Sequence, residues 1–209
     1  MNRSTSQETP ASQRKTVTDV LRERTFFIVD PIVTFLARYQ ISPNTLTVLG
    51  TVGHFLIAWL IIQDQMRAAG LAIALIAPLD GLDGALARKQ GRKADGFGAF
   101  LDSTLDRLAE IVLFGGFLIY AANSQDLLML STTYIAITGS LMVSYARARA
   151  EALDLSCRIG IMSRVERYFV LTATLLLGYP MVGLAIIAIF AYITVAQRIF
   201  HVWQQTVSE

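Results

Sequence analysis

Long apolar stretches separated by short polar breaks fill the chain from residue 44 onward, and they predict six membrane-crossing helices. Each stretch is near the roughly 20 residues that a helix needs to span the hydrocarbon core of a bilayer. The fifth stretch is the shortest. The six predicted spans cover residues 44–62, 70–87, 98–121, 127–148, 163–178 and 181–202.

The chain before residue 41 has a different pattern. Residues 1–15 are polar and contain no apolar run, so we expect a disordered cytoplasmic tail rather than a signal peptide. In residues 16–40, apolar side chains are interleaved with arginines and a glutamate, which is typical of an amphipathic helix lying in the membrane interface. The predicted organisation is therefore a tail (1–15), an interfacial juxtamembrane helix (16–40) and a six-helix domain (41–204).

Composition agrees with an all-α integral membrane protein of one domain. The 209 residues are 54% hydrophobic and only 16% charged, and the mean hydropathy is +0.50. The lone cysteine, Cys157, rules out an intramolecular disulfide and is given no role. The sequence has no zinc-type Cys/His cluster and no Walker loop, and we expect membrane lipids but no nucleic acid among its partners.

The lysines and arginines predict the orientation in the membrane. If the N-terminus lies inside the cell, Arg67 is the only one of 18 that falls on the outer side. Such an excess of positive charge marks the cytoplasmic side of a membrane protein. Six spans place both termini on the same side. We therefore expect a multi-pass protein of the cell's inner membrane, with both termini and the site described next facing the cytoplasm.

Four aspartates lie where hydropathy predicts the interior of two spans. Asp80 and Asp83 are three residues apart, and Asp102 and Asp106 are four apart, so each pair shares a helix face. Facing carboxylates in a low dielectric are usually stabilised by protonation or by a divalent cation. Ligands that are all oxygen favour a hard ion, Mg²⁺ or Mn²⁺. Because charge inside a membrane usually serves function, we expect a metal site here.

The aspartates belong to a longer pattern, D-x-x-D-G-x-x-A-R at residues 80–88 followed by G-x-x-x-D-x-x-x-D at residues 98–106. This pattern resembles the signature of the CDP-alcohol phosphotransferases, membrane enzymes that make phospholipids from a CDP-activated lipid and an alcohol. Nine residues separate the two halves, one more than in the familiar form of the signature. The extra residue falls in the polar loop 89–95, where an insertion is tolerated.

The resemblance implies a reaction and a role for each residue of the pattern. An acceptor hydroxyl attacks the phosphorus that carries the lipid, CMP leaves, and metal ions neutralise the charge. Asp106 is implied as the catalytic general base that takes the hydroxyl proton, and as a metal contact. The implied ligands of two ions are Asp80, Asp83, Asp102 and Asp106. The implied CDP-lipid contacts are Gly84, Ala87, Arg88 and Gly98.

A second cluster, of arginines, lies where the fourth predicted span ends and the fifth begins. Ser163 and Glu166 fit a capping box, which would begin a helix there and point its N–H groups at the cytoplasmic face. Arginines beside a helix N-terminus suit a phosphate dianion. The alternative is that they are only the positive charges of the inner surface. The predicted acceptor-phosphate ligands are Arg147, Arg164, Arg167 and Arg198.

Within the family, segments 101–107, 147–152 and 164–167 are most similar to the prokaryotic phosphatidylinositol phosphate synthase branch, which includes archaetidylinositol phosphate synthases. That similarity implies inositol phosphate as the acceptor, CDP-diacylglycerol or its ether analogue as the donor, and a homodimer. Glycerol 3-phosphate also satisfies a site built from arginines and remains an alternative acceptor. A divalent-cation transporter is the alternative of a different class. The complete carboxylate set argues against an inactive lipid-binding scaffold.

Two further polar residues fall inside predicted spans. We expect His54 to be a hydrogen-bonded structural histidine rather than a metal ligand. Glu110 lies one helical turn beyond Asp106. We expect it to pair with Arg107 or with a neighbouring helix rather than to act as a fifth ligand.

Overall fold

A computed structural model describes residues 30–31, 33–91 and 96–207 of the chain. Within these ranges the side chains of Asp80, Gly81 and Asp83 are not described. The predicted tail, most of the predicted interfacial helix and part of the polar loop at 89–95 lie outside the described residues. The described chain is helix, turn and loop, with no strand in these ranges.

Seven helices follow one another from residue 43 to residue 207 in the described part of the chain. The helices predicted at 44–62, 98–121, 127–148, 163–178 and 181–202 agree in position with five of them to within a few residues at each end. In chain order the helices are α1 (Pro43–Ile62), α2 (Met66–Ile76), α3 (Leu79–Lys89), α4 (Gly96–Asn123), α5 (Leu127–Glu151), α6 (Arg164–Leu177) and α7 (Pro180–Val207).

The prediction of one continuous helix over residues 70–87 was wrong. The chain forms two helices of 11 residues there, α2 and α3, separated at Ala77 and Pro78. Proline has no N–H for the helical ladder, and its ring clashes with the carbonyl four residues earlier, so it kinks or ends a helix. Ala77 and Pro78 keep right-handed helical dihedral angles, so the chain bends there without reversing. The D-x-x-D-G-x-x-A-R motif consequently lies on a short helix of its own.

Three of the described helices, α1, α5 and α7, are long and apolar enough to cross a membrane, and α2 is a shorter apolar helix. Helix α4 has 28 residues but carries four charged residues before Ile111. Helix α6 is only 14 residues long. The charged residues of α4 must therefore find partners inside the bundle, because an unpaired charge in an apolar surrounding is strongly unfavourable.

The contacts between helices close a ring. Helix α1 packs on α4, α4 on α5, α5 on α7, α7 on α6, α6 on α2, and α2 again on α1; α3 also packs on α1. In this order α4 and α6 stand on opposite sides of the interior. The middle of the ring is filled by an apolar core whose largest fully buried side chains include Phe114, Phe117, Leu171, Leu175 and Leu184.

A short helical segment at 33–38 fastens the chain before α1 to the end of α3. Val33 is buried together with Leu46 of α1 and with Leu82 and Leu86 of α3. The Lys89 ammonium donates to the Asp30 carboxylate at 2.6 Å. The described end of the predicted interfacial helix thus holds the helix that carries the first half of the motif.

Helices α1 and α4 cross so closely that the crossing requires a glycine. A Cβ atom at Gly116 of α4 would lie 2.8 Å from the Cα atom of Ala58 and 2.9 Å from its carbonyl oxygen on α1. Apart from the chain neighbours and the nearby backbone of α4 itself, no heavy atom of the described residues lies within 4 Å of a Cβ placed on the neighbouring Gly115. Small residues at crossings are the usual means by which membrane helices approach one another.

We predict that Gly116→Ala destabilises the protein and that Gly115→Ala does not. The added methyl at Gly116 would push α4 from α1, and such overpacking costs about 1–3 kcal/mol. At Gly115 alanine meets open space and is the better helix former by roughly 1 kcal/mol. The measurement is the thermal unfolding midpoint of the detergent-solubilised protein. Equal midpoints for the two variants would contradict the close crossing.

Candidate functional site

The first half of the motif lies on α3. Leu82 and Leu86 are 5% and 0% exposed and fix one side of this helix against its neighbours. The helical repeat places positions 80, 83, 84 and 87 on the other side. Apart from the chain neighbours and the nearby backbone of α3 itself, a Cβ atom built on Gly84 would have only an Arg88 nitrogen, at 3.5 Å, within 4 Å among the described residues. Arg88 is thus the described side chain that lies beside Gly84.

The second half of the motif lies at the start of α4. Gly98, Asp102 and Asp106 follow one another at intervals of four residues and so share one face of this helix. The side chain of Asp106 is 15% exposed and forms an ion pair with Arg164 of α6. Its other oxygen lies 3.9 Å from an Arg107 nitrogen. Asp106 is thus linked both to its own helix and to the opposite wall of the ring.

The carboxylates fit a hard divalent cation by their chemistry. Asp102 and Asp106 offer only oxygen atoms, about one helical turn apart on one face. Among the described residues no three carboxylates, imidazoles or thiols come together. Asp80 and Asp83 lie on α3, and their side chains are outside the described residues. The support for a metal here is therefore chemical: all four predicted ligands are carboxylates, the ligand type that hard divalent cations prefer.

A buried ion pair lies one turn deeper than Asp106. Arg167 of α6 donates from Nε to Glu110 Oε1 of α4 at 2.6 Å, and the two side chains are 1% and 2% exposed. A second Arg167 nitrogen donates to the Met162 carbonyl at 2.9 Å. Glu110 pairs with another helix, as expected, but that helix is α6, which lies across the ring from α4. We call the pairs Asp106–Arg164 and Glu110–Arg167 the α4–α6 ladder.

Arg198 of α7 is also buried, and backbone carbonyl groups hold its guanidinium. It is 4% exposed, its Nε donates to the Ile159 carbonyl at 2.9 Å, and a terminal nitrogen donates to the Val143 carbonyl. Val143 lies one turn before Arg147 on α5, and Ile159 lies three residues before Met162, whose carbonyl accepts from Arg167. The structure therefore brings these three predicted arginines together around the segment 155–163, with Glu151 and Glu110 paired to two of them.

Arg147 and Arg164 are the more accessible members of the predicted arginine set. The side chain of Arg147 is 47% exposed and pairs with Glu151, one turn further along α5, at 2.8 Å. The side chain of Arg164 is 20% exposed and lies beside Asp106. The four arginines thus form two groups, two that reach the surface and two that are held by buried protein groups.

The segment between α5 and α6, residues 155–163, is fixed by side chains that sequence reasoning missed. The Met162 N–H donates to Thr194 Oγ1 of α7 at 3.0 Å. The Gln205 side-chain amide accepts a hydrogen bond from the Ser156 N–H at 3.1 Å and donates one to the Ser156 carbonyl at 2.8 Å. Gly160 has φ +126°, and a Cβ there would collide with Thr194. No sequence pattern marks these contacts, because they join α7 to residues more than 30 positions earlier.

The capping box was predicted at the right place but with the wrong hydrogen bond. Ser163 is the N-cap residue of α6, as predicted, but its side chain makes no cap hydrogen bond. The Ser163 hydroxyl instead donates to the Glu166 carboxylate. A carboxylate is a stronger hydrogen-bond acceptor than a neutral oxygen, so it accepts the hydrogen bond that the Ser163 hydroxyl can donate.

His54 is a structural histidine, as expected. It is fully buried, its Nδ1 lies 2.8 Å from the Gly50 carbonyl, and its Nε2 lies 2.8 Å from the Tyr168 hydroxyl. Because a carbonyl only accepts, Nδ1 carries the proton and Nε2 accepts from the hydroxyl. The Tyr168 ring in turn lies under the Arg164 guanidinium, 5.1 Å from its carbon to the ring centroid. Sequence reasoning missed Tyr168.

Comparison with known proteins places the chain among phospholipid enzymes. Residues 40–204 match a family model described as CDP-alcohol phosphatidyltransferase. The archaetidylinositol phosphate synthase of Pyrococcus horikoshii is 37% identical over 167 residues, which cover 79% of this chain and 86% of that protein.

Solved structures of phosphatidylinositol phosphate synthase from Mycobacterium tuberculosis share the fold. The structure with CDP-DAG bound has a TM-score of 0.78 and 31% identity, covering 84% of this chain and 94% of that chain. The complex with manganese and citrate has a TM-score of 0.77 and 30% identity, covering 84% and 88%.

The α4–α6 ladder yields a prediction about stability. Arg167→Met leaves the Glu110 carboxylate buried without its cation, which costs about 3–5 kcal/mol and should lower the thermal unfolding midpoint by several degrees. The double variant Glu110→Leu with Arg167→Met removes both charges and should recover most of that loss. Arg147→Met breaks an exposed pair as a control, worth roughly 0–1 kcal/mol. A double variant less stable than Arg167→Met would contradict this account.

Proposed function

Because the chain belongs to the CDP-alcohol phosphatidyltransferase family, we propose that it transfers the phosphatidyl group of a CDP-lipid to the hydroxyl of inositol phosphate and releases CMP. Family membership makes it an enzyme of phospholipid synthesis. The observation that carries the choice of acceptor is the grouping of Arg147, Arg167 and Arg198 around the segment 155–163, near the ion pair of Arg164 and Asp106. An acceptor that already bears a phosphate suits such a region.

The donor in this proposal is CDP-diacylglycerol or its ether analogue. The Mycobacterium tuberculosis relative was solved with CDP-DAG bound, and the Pyrococcus horikoshii relative is named for an archaetidyl lipid. Gly84 and Gly98 would let the nucleotide approach α3 and α4, and Arg88, exposed at the end of α3, would bind a phosphate oxygen. Ala87 completes the proposed donor contacts.

The proposed metal ligands are Asp80, Asp83, Asp102 and Asp106, holding two ions of Mg²⁺ or Mn²⁺. The manganese complex of the Mycobacterium tuberculosis relative supports a divalent ion in this family. When bound, the ions would neutralise the pyrophosphate and the departing CMP. The carboxylates of α3 and α4 would hold these ions at the mouth of the ring.

Asp106 is the proposed general base. Its carboxylate would take the proton of the acceptor hydroxyl as the oxygen attacks phosphorus. Arg164 would hold that carboxylate in position from the opposite wall of the ring, since the two side chains already form an ion pair. The acceptor would then lie between the base and the arginines, with its phosphate on the arginine side.

We propose that the four arginines form the acceptor-phosphate site in two layers. Arg147 and Arg164 reach the surface and would contact the phosphate directly. Arg167 and Arg198 lie behind them, where they add positive potential and fix the segment 155–163 through its carbonyl groups. The outer pair supplies hydrogen bonds and the inner pair fixes the site's shape.

The membrane arrangement is part of the same proposal. If α2 and α3 together make one crossing, the helices α1 to α7 give six crossings, with the site and both termini in the cytoplasm. The same proposal divides the chain into a polar tail at 1–15, an interfacial helix at 16–40 and a transferase domain at 41–204. We also propose a homodimer.

The experiment that tests the function is CMP release by the purified protein with CDP-diacylglycerol and Mn²⁺. We expect inositol phosphate to support release at least about tenfold faster than glycerol 3-phosphate, inositol or glycerol, since plain alcohols lack the anion that the arginines bind. EDTA should abolish release, and Mg²⁺ or Mn²⁺ should restore it. Preference for glycerol 3-phosphate would favour the alternative acceptor, and cation flux without CMP release would favour a transporter.

Asp106→Asn should lower kcat by at least about 100-fold while CDP-lipid binding changes little, because the amide cannot take a proton. Asp126→Asn is a matched control. It removes the same charge at the start of α5, which lies beyond the end of α4 that is far from Asp106. Asp126 caps α5 by accepting from the Met129 N–H, and asparagine caps about as well. The measurements are CMP release and titration with the CDP-lipid. Retained turnover in Asp106→Asn would remove the base assignment.

A further inference from the structure

One continuous series of side-chain contacts runs from α1 through α6 to Asp106 on α4. The Gly50 carbonyl accepts from His54 Nδ1, and His54 Nε2 accepts from the Tyr168 hydroxyl, both at 2.8 Å. The Tyr168 ring lies under Arg164. Arg164 in turn pairs with Asp106. The series thus begins on the backbone of α1 and ends at the proposed base.

His54 fixes Tyr168 in one orientation. His54 is fully buried and uses both ring nitrogens, so rotating its ring would break two buried hydrogen bonds. Tyr168 is 7% exposed, and the two rings meet edge to face with centroids 5.6 Å apart. The hydrogen bond to the hydroxyl and the contact of the ring with His54 both hold Tyr168 in this orientation.

Tyr168 gives Arg164 a surface on which to lie. The two residues are four apart on α6 and therefore share a face. The guanidinium carbon stands 5.1 Å from the ring centroid, within the range of a cation–π interaction. An arginine side chain has many rotamers, and ordering it costs conformational entropy if nothing holds it. The ring lowers that cost by holding the guanidinium in place on the Asp106 side.

We propose that Tyr168, fixed by His54, is a positioning residue that holds Arg164 at the place where it contacts both Asp106 and the acceptor's phosphate. This inference rests on the proposed roles of Arg164 and Asp106. The attacking hydroxyl must reach phosphorus and base together, and small displacements of a reactant are costly to the rate. Tyr168 acts through Arg164 and does not itself contact the acceptor.

The test compares the kinetic constants of three variants for inositol phosphate and for CDP-diacylglycerol. Tyr168→Leu removes the ring, and we expect its KM for inositol phosphate to rise about fivefold or more, consistent with the strength of cation–π contacts. Its KM for the CDP-lipid should stay within about twofold. Tyr168→Phe keeps the ring but loses the hydrogen bond to His54 that fixes it, so its acceptor KM should rise by about two- to threefold, less than in Tyr168→Leu, and the variant should be less stable.

Phe117→Leu is the control for loss of a buried aromatic. Phe117 is fully buried in the apolar core of α4, three turns from Asp106. This variant should lower the thermal unfolding midpoint and leave the acceptor KM within about twofold. If Tyr168→Leu resembles Phe117→Leu, or raises both KM values equally, Tyr168 only packs and the inference is overturned. If Tyr168→Leu does not fold, Tyr168→Phe decides the matter: a rise in the acceptor KM alone supports the role of the fixed ring, and an unchanged acceptor KM or an equal rise in both KM values overturns the inference.

A double-variant cycle separates this inference from the proposed function. Arg164→Met should raise the acceptor KM by itself, and adding Tyr168→Leu should raise it no further, because the ring acts through the arginine. Additive effects would overturn the positioning role. If wild type releases CMP with another acceptor and Arg164→Met leaves that acceptor's KM unchanged, the proposed phosphate site fails instead, whatever Tyr168 does.

Discussion

The buried pair between Glu110 and Arg167 is the interaction on which the arrangement of this bundle depends. Each charge would be strongly unfavourable alone in an apolar interior, and each side chain is almost completely buried. Their pairing requires α4 and α6 to face one another at this depth. Because Asp106 and Arg164 lie about one turn nearer the starts of the same two helices, the same alignment brings them together. The alignment of α4 with α6 therefore sets both a structural contact, Glu110–Arg167, and a proposed catalytic contact, Asp106–Arg164.

The ring of helices divides its interior into two parts. The middle holds an apolar core that includes Phe114, Phe117 and Leu175, in the dense packing of a protein interior. The end that holds the start of α4 and α6 carries the ladder, His54 and the arginines. Polar groups collected at one end can reach charged substrates from water while the apolar part maintains the fold. The proposed transfer from a nucleotide-bearing lipid to a phosphorylated alcohol would need such a division.

Two short connections give the polar end its shape. Pro78 separates α3 from α2, so the first half of the motif lies on a helix held at its far end by Lys89 and its contact with Asp30. The segment 155–163 is held by Thr194, Arg198 and Gln205 of α7. These fixed boundaries lie on either side of the proposed site, next to α3 and next to the arginines. The positions of both substrates in the proposal depend on them.

The sequence by itself determined the helices, the carboxylate motif and the family, because each depends on local spacing. Apolar length gives the helices to within a few residues, and the four-residue intervals put Gly98, Asp102 and Asp106 on one face. The break at Pro78 also has a local signal, the proline itself, but the prediction followed the apolar run that continues across it. Helix periodicity likewise allowed a partner for Glu110 on a neighbouring helix but could not choose which.

Only the tertiary structure decided the partners. Glu110 and Arg167 are 57 residues apart, and His54 and Tyr168 are 114 apart. The tertiary structure also divided the four arginines into two pairs, although all four look alike in the sequence. Arg147 and Arg164 are accessible, whereas Arg167 and Arg198 are held by buried groups. Such choices depend on which helices are neighbours and at what height their side chains meet. Those quantities come from the packing of the whole ring, and no local window of the sequence contains them.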